Sequence, residues 1–379
     1  MKLTCTHENL LTTLGYVEWV VGRQSHLPIL SNILLEAEQG RLKLSATNLE
    51  IGVTTYFGAK VEESGKLVVP AKLLTHFVQD LDPNEVIEIR TEGNQMVVEN
   101  GKDEIRIQSV DSKDFPIIPE YAGEYSVTLD GQVLEEAFRR VLFAVSTNDS
   151  RIELTGICLS VSPRGIHVAA TDSFRLVEYT FIGLLEDQKE VLQNFLESQG
   201  GKVILPVDTL QELGRILQKE AVPVSVVIEE NQIFFSLGST RLVSRIIQGR
   251  YPDYQQILPK EFHTKVPLAQ GELLRALKMA TTFAQYGSGE VKFRFLTEGE
   301  VLEITTYSSG VGEQRTRVRL AAPLIEDIEL TFQSRHILEG VQALTGETIT
   351  FHLNTKDTPV LLTGADPEAH FYLVMPIKK

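Results

Sequence analysis

Three stretches of the chain repeat one order of apolar and polar positions. Each opens with a short alternating run, passes a polar or glycine residue, and then carries apolar residues at three- and four-residue steps. They are MKLTCTHENLLTTLGYVEWVVG from Met1, EYSVTLDGQVLEEAFRRVLFAVS from Glu124 and TKVPLAQGELLRALKMATTFAQ from Thr264. Alternation followed by helical spacing predicts a strand and then an amphipathic helix. The likeness continues downstream. KLSATNLEIGV, VAATDSFRLVEY and EITTYSSGVGEQ each predict two strands meeting at a hairpin-like turn. KLVVPAKLLTHFVQDL, KVILPVDTLQELGRIL and ELTFQSRHILEGVQAL each predict a strand and a second helix. Further alternating strands follow in every copy.

The copies start 123 and 140 residues apart, too far for a solenoid unit. The pattern therefore predicts an α+β fold of three similar domains, each with antiparallel sheets and two helices. Their expected bounds are residues 1–123, 124–262 and 263–379. The extra length of the second copy lies mainly at Leu184–Gly201, a polar stretch that reads as a loop or short helix.

The helices also sort their charges. In the third copy Leu273, Leu274, Leu277, Thr281 and Ala284 share one side, and Arg275, Lys278 and Thr282 another. In the second, Leu134, Ala137, Val141 and Val145 form the apolar stripe, with Arg139 and Arg140 off it. Its second helix carries Arg215 and Lys219 one turn apart. Acidic pairs such as Glu62 with Glu63, Glu229 with Glu230 and Glu326 with Asp327 fall in strand and loop segments. This changes how the net charge of −15 is read. Bulk charge opposes a nucleic-acid binder, but basic helices segregated from an acidic sheet leave one surface attractive to phosphates.

The rest of the composition mostly excludes. No run approaches the ~20 apolar residues of a bilayer-spanning helix, and the N-terminus lacks the apolar core of a secretory signal. Two cysteines, Cys5 and Cys158, fit a reducing cytoplasm and read as small buried residues. No metal-binding histidine pair, P-loop, GxGxxG or nucleophile elbow is present. Gly310 and Gly312 read as a turn, and Asp80 with Asp82 as a solvated helix end. The sequence calls for no cofactor, no metal and no catalysis.

LPILSNILLEA (27–37), SATNLEI (45–51), LTGICL (154–159), VAATDSFRLV (168–177), GRYPDYQQILP (249–259) and YLVMPIKK (372–379) together carry a specific resemblance. In this order and spacing, over the whole chain, the sequence resembles the β subunit of bacterial DNA polymerase III, the sliding-clamp family. The resemblance implies a head-to-tail homodimer closing a six-domain ring around duplex DNA. It implies helices inside, a β-sheet outside and a role as processivity factor in DNA replication. The implied partners are the polymerase III catalytic subunit, a clamp-loader ATPase and other proteins bearing a clamp-binding motif, with no membrane. By position it implies a partner-peptide pocket of Leu154, Thr171, Arg175, Leu176, Pro252, Ile257, Pro359, Val360, Leu373, Met375, Pro376 and Ile377. It implies DNA contacts at Arg23, Gln24, Asn148 and Arg151, with Arg139, Arg140, Arg275 and Lys278 as further candidates. The implied dimer contacts are Ile105 and Phe283. The chain departs from many relatives at Gln256, Phe174, Ser173 and His336, which bears on peptide preference. Two other readings stay open: a peptide-binding scaffold of the same fold that encircles nothing, and an enzyme with an unrecognised site.

Overall fold

Seven α-helices form among the described residues of the computed structural model, which describes all but residues 22–26, 122–125, 183–185, 198–199, 220–221, 322 and 379. They are α1 (His7–Val17), α2 (Ala71–Gln79), α3 (Gly131–Arg139), α4 (Glu186–Glu197), α5 (Val207–Lys219), α6 (Gln270–Ala284) and α7 (Ser334–Ala343). Two fall in each predicted copy. The additional helix, α4, forms from the polar stretch of the longer second copy, and buries Leu192 and Leu196. Local chemistry sets the ends. The Thr6 side chain accepts from the Asn9 amide at 3.3 Å and so caps α1, which then buries Leu10, Leu14 and Val17. Along α6, Leu273, Ala276, Leu277, Ala280 and Ala284 are buried, while Arg275, Lys278 and Thr282 are exposed. The apolar stripe of the second copy is buried as expected, but its helix is shorter. α3 ends at Arg139, the Val141 amide turns back to the Phe138 carbonyl at 3.0 Å, and a short 3-10 turn follows at Leu142–Ala144. Val141 and Val145 thus reach the core from tightened chain rather than from the helix face.

Every strand pairing is antiparallel, and the residues divide into two compact units. One comprises Met1–Glu135, Leu184–Gly200 and Asp208–Ile246. It holds a five-stranded sheet in the order Lys60–Glu63, Lys2–Thr6, Val86–Glu92, Gln95–Asn100 and Asp103–Gln108. Its eight-stranded sheet runs Val127–Leu129, Val224–Ile228, Gln232–Leu237, Thr240–Arg245, Ile51–Gly58, Arg41–Thr47, Asn32–Glu38 and Gly65–Pro70. That order crosses from second-copy to first-copy strands where Thr240 faces Thr55 and Ser244 faces Ile51. The two threonine hydroxyls at this seam are 2.9 Å apart and buried.

The other unit comprises Glu136–Gly183, Gly201–Val207 and Ile247–Lys379. Its eight-stranded sheet runs Lys202–Pro206, Gly156–Ser162, Gly165–Thr171, Arg175–Phe181, His370–Val374, Val360–Thr363, Thr348–Leu353 and Thr264–Ala269. Here the seam joins second-copy to third-copy strands, Arg175 facing Val374 and Tyr179 facing His370. A four-stranded sheet, Gly312–Arg319, Val301–Ser308, Glu290–Leu296 and Ile328–Gln333, completes the unit. Phe293, Phe295, Phe332 and Phe351 pack together inside it, the closest ring centroids 5.2 Å apart. The second copy is therefore shared between the units, because its strands continue the sheets of both neighbours.

Candidate functional site

The turn between strands Gly165–Thr171 and Arg175–Phe181 is built from its own side chains. The Thr171 hydroxyl donates to the Arg175 carbonyl at 2.5 Å and accepts from the Ser173 amide at 3.2 Å. Asp172 Oδ1 accepts from the amides of Phe174 and Arg175 at 2.9 and 3.0 Å, a side-chain mimic of a backbone turn. Ser173 is held at φ 79°, a left-handed conformation costly for a residue with a Cβ. The turn positions Arg175, whose side chain is only 9% exposed. Its guanidinium donates to Asp172 Oδ2 at 2.8 Å, to the Phe143 carbonyl at 2.7 Å and to Glu339, and lies 5.4 Å from the Phe143 ring centre. Burial opposes that charge, but the bonds to Glu339 and Asp172 outweigh it, and the Arg175 pKa is raised.

A groove of about 200 Å³ opens beside this turn, with apolar atoms supplying most of its lining. Its floor is core: Leu154, Leu176, Leu373 and Tyr254 are buried and pack with Cys158, Ala169, Ile204 and Tyr251. Tyr254 is anchored by its hydroxyl, which donates to Glu178 at 2.6 Å. The rim is exposed, with Phe174 at 64% and Ile257 at 54%. The Met375 amide donates to the Phe174 carbonyl at 2.9 Å, tying the C-terminal segment to the turn. An adjoining, more polar depression of about 830 Å³ shares Arg151, Leu154, Ser173, Phe174 and Arg175 with the groove, and adds Asn148, Gln333, Arg335, His336 and Glu339. Burial and the Arg175 charge depress the His336 pKa although Asp172 lies 3.8 Å away, so the ring is neutral at pH 7.

Eight of the residues expected in the pocket line this groove: Leu154, Thr171, Arg175, Leu176, Pro252, Ile257, Leu373 and Met375. Four others do not. Val360 is buried as a strand partner of Val374, and Pro376 is buried as well. Ile377 donates its amide to the Thr331 carbonyl at 2.7 Å, and Pro359 lies partly exposed before its strand. Asp253 and Tyr254 line the groove without having been expected there. The YPDY run held the signal, since an aromatic close to two expected pocket positions needs a place for its hydroxyl.

The candidate DNA contacts differ in how free they are. Arg23 and Gln24 lie outside the described residues. Asn148 is exposed and caps the short helix at Asp149–Leu154, accepting from the Ser150 amide at 2.9 Å. Arg151 is exposed beside it and bonds Glu153 and Ser173. Arg139 is 64% exposed, with Glu136 at 3.9 Å. Arg140 departs from expectation: past the end of α3, its side chain is 13% exposed, bonds Glu136 at 2.6 Å and His370 at 3.2 Å, and lies over the Tyr179 ring. It braces the interior rather than facing solvent. Arg275 and Lys278 project from α6. Of the dimer candidates, Ile105 is half-buried on strand Asp103–Gln108, an edge of the five-stranded sheet, and Phe283 is half-buried near the end of α6.

Burial drives the thiols of Cys5 and Cys158 up to about 12, which keeps both protonated and unreactive at neutral pH. Among the described residues no group of three or more His, Cys, Asp or Glu could hold a metal ion, and no helix is long and apolar enough to cross a membrane.

Three family models match the chain in succession: the DNA polymerase III beta subunit N-terminal domain over residues 1–119, its central domain over 128–253 and its C-terminal domain over 255–378. The beta sliding clamp of Synechococcus elongatus is 30% identical over 382 residues, spanning 100% of this chain and 99% of that one. Among solved structures, the DNA polymerase sliding clamp of Bacillus subtilis superposes with a TM-score of 0.91 at 23% identity, over 100% of this chain and 99% of that one. The sliding clamp of Bartonella birtlesii bound to griselimycin gives a TM-score of 0.91 at 26% identity over 100% of both chains.

Proposed function

The chain belongs to the DNA polymerase III beta subunit family, and from that premise we propose how it works. Membership makes it a processivity clamp of replication, an accessory subunit rather than a catalyst. Three domains, residues 1–123, 124–262 and 263–379, pair head to tail with those of a second copy and close a six-domain ring around duplex DNA. Among the described residues, strands Asp103–Gln108 and Gly312–Arg319 each have one paired edge and one open edge, and open edges invite pairing. Ile105 and Phe283 supply apolar contact at the joint. A heterologous interface that closes on itself needs no further subunit.

Encirclement removes the need for tight DNA contacts, so a chain of net charge −15 holds DNA through a limited set of cations such as Arg275, Lys278, Arg139 and Arg151. They meet phosphates rather than bases, which leaves the ring free to slide. The apolar groove at Leu154, Leu176, Ile257 and Met375 takes a short peptide of the polymerase III catalytic subunit or of other replication and repair proteins. Tethering keeps the polymerase at high effective concentration near the primer end. A clamp-loader ATPase opens the ring, and the protein works in the cytoplasm.

The full-length match to all three family domains in order carries this reading. The test is retention on DNA. Protein loaded onto a nicked circular plasmid should co-elute with it on a gel-filtration column and fall off once the plasmid is linearised. Equal loss from circular and linear DNA would refute encirclement and leave a peptide-binding scaffold of the same fold.

A further inference from the structure

The Thr171–Arg175 turn beside the groove has a twin. At Thr47–Ile51 the Thr47 hydroxyl donates to the Ile51 carbonyl at 2.8 Å and accepts from the Leu49 amide at 3.0 Å. Asn48 Oδ1 accepts from the amides of Glu50 and Ile51 at 3.0 and 2.7 Å, and Leu49 sits at φ 76°. Hydrogen bond for hydrogen bond, and in its one left-handed residue, this is the turn that carries Arg175.

The surroundings also repeat. Glu339 is the sixth residue of α7, and Glu212 is the sixth residue of α5; each helix follows directly on a strand. Phe143 and Trp19 follow the first helices of their copies, and each lines a cleft with its turn and its glutamate. Two elements differ: Asn48 stands for Asp172, and Ile51 for Arg175. Where the second turn sends Arg175 to Asp172, Glu339 and the Phe143 carbonyl, the first turn has Ile51, which brings no charge. Glu212 is left 5% exposed. Its Oε2 accepts from Arg215 at 2.9 Å, but its Oε1, buried, has no hydrogen-bond partner among the described residues. A buried carboxylate oxygen without a donor is costly. Arg215 does not complete the set: it comes from one turn further along α5, reaches the far oxygen, and stays 44% exposed while lying 4.6 Å from the Trp19 ring centre.

We propose that this cleft, between the C-terminal end of α1 and the N-terminal half of α5, is a second docking site, and that it takes an arginine side chain from a partner protein. The cleft holds about 290 Å³, room for a guanidinium and its stem, with Asp208 at its mouth and Glu212 on its wall. The incoming guanidinium does part of what Arg175 does in the twin. It donates to Glu212 Oε1 and packs beside Trp19 where Arg175 packs beside Phe143, while Asn48, whose side-chain amide nitrogen is a donor, leaves the Asp172 part of the set unmatched. Charge favours a cation, because two carboxylates line the cleft against the single guanidinium of Arg215. Geometry favours arginine over lysine, since a planar guanidinium can donate to Glu212 and pack flat beside the Trp19 ring at once. The inference goes beyond the clamp reading and stands apart from it, because the cleft shares no residue with the apolar groove.

Trp19 is the single tryptophan of the chain, so intrinsic fluorescence reports on this cleft alone. The full-length protein is titrated with N-acetyl-arginine amide, and in parallel with the neutral N-acetyl-citrulline amide. Arginine should give a saturable change in Trp19 emission, with citrulline at least tenfold weaker. Glu212→Gln should weaken the arginine response at least tenfold. Ile51→Arg should abolish it, because it installs in this turn the guanidinium that Arg175 supplies in the other. Thermal midpoints certify that both variants are folded, and removal of Met375–Lys379 should leave the response unchanged. Equal responses to arginine and citrulline, or wild-type saturation in either folded variant, would overturn the proposal.

Discussion

Arg175 shows how one side chain can serve both stability and the groove. It lines the groove and is also the only cation bonded to both Asp172 and Glu339 among the described residues. Arg175→Ala leaves Asp172 Oδ2 without its donor and Glu339 with only the exposed Arg335 at 2.8 Å, and breaking a buried pair of this kind costs about 3 kcal/mol. Urea unfolding should show a loss of that size, and Arg175→Lys should recover only part of it, since an ammonium cannot span both partners and the Phe143 carbonyl. His370 gives a pH prediction. It is 3% exposed, its Nδ1 faces Arg140 at 3.2 Å, and burial together with that charge lowers its pKa to about 4. The folded state therefore resists protonation that the unfolded chain accepts near pH 6.5. Stability contributed above that pH is lost as pH falls towards 4. The loss between pH 7 and pH 4.5 should be about 2 kcal/mol, and urea midpoints of His370→Gln should fall less steeply over that interval. A variant as pH-sensitive as the parent would remove His370 from the account. Residue identities at the groove were legible because the short runs that carry them are distinctive. Their orientations were not, since nothing local says that the sheet consumes Val360 or that Pro376 is buried beyond the last strand.

Elements were legible where one periodicity spans them. α1, α6 and the strand pairs follow their apolar spacing. α3 does not run its full stripe, because burial of Val141 and Val145 constrains which side the chain faces and not whether it stays helical. This is why Arg140 read as a helix-face cation and is instead an internal brace. α4 was ambiguous in sequence since few residues, Leu192, Phe195 and Leu196 among those described, mark its buried side. The C-terminal segment Met375–Lys379 is short, yet two of its amides are spent on Phe174 and Thr331. Its removal should take away the Met375 wall of the groove and lower affinity for a clamp-binding peptide at least tenfold in calorimetric titration, while the molecular mass of the assembly stays at the parental value. Unchanged affinity would dissociate the groove from peptide binding.

For the whole molecule, the triplication was visible in sequence and the seams were not. A strand pair such as Thr240 with Thr55 links residues 185 apart, and no local pattern encodes which copy supplies a neighbour. The outermost strand Asp103–Gln108 and the end of α6 remain half-exposed at Ile105 and Phe283. Phe283→Asp should halve the mass seen by light scattering at micromolar concentration, because a carboxylate at an apolar joint is stranded without a partner. A mass equal to that of the parent would move the interface elsewhere.

The seam between first- and second-copy strands also sets a schedule for synthesis. Strand Ile51–Gly58 receives its neighbour Thr240–Arg245 only after some 180 further residues have left the ribosome. At ordinary elongation rates that is an interval of about 10–40 s. Throughout it, a nascent chain holding its first copy carries Ile51–Gly58 paired on one edge with Arg41–Thr47 and open on the other, with Ile51 and Val53 at its start. The cell's chaperones thus meet this protein as a long-lived half-sheet, and slowing translation between codons 60 and 240 should raise its insoluble fraction without any change of sequence.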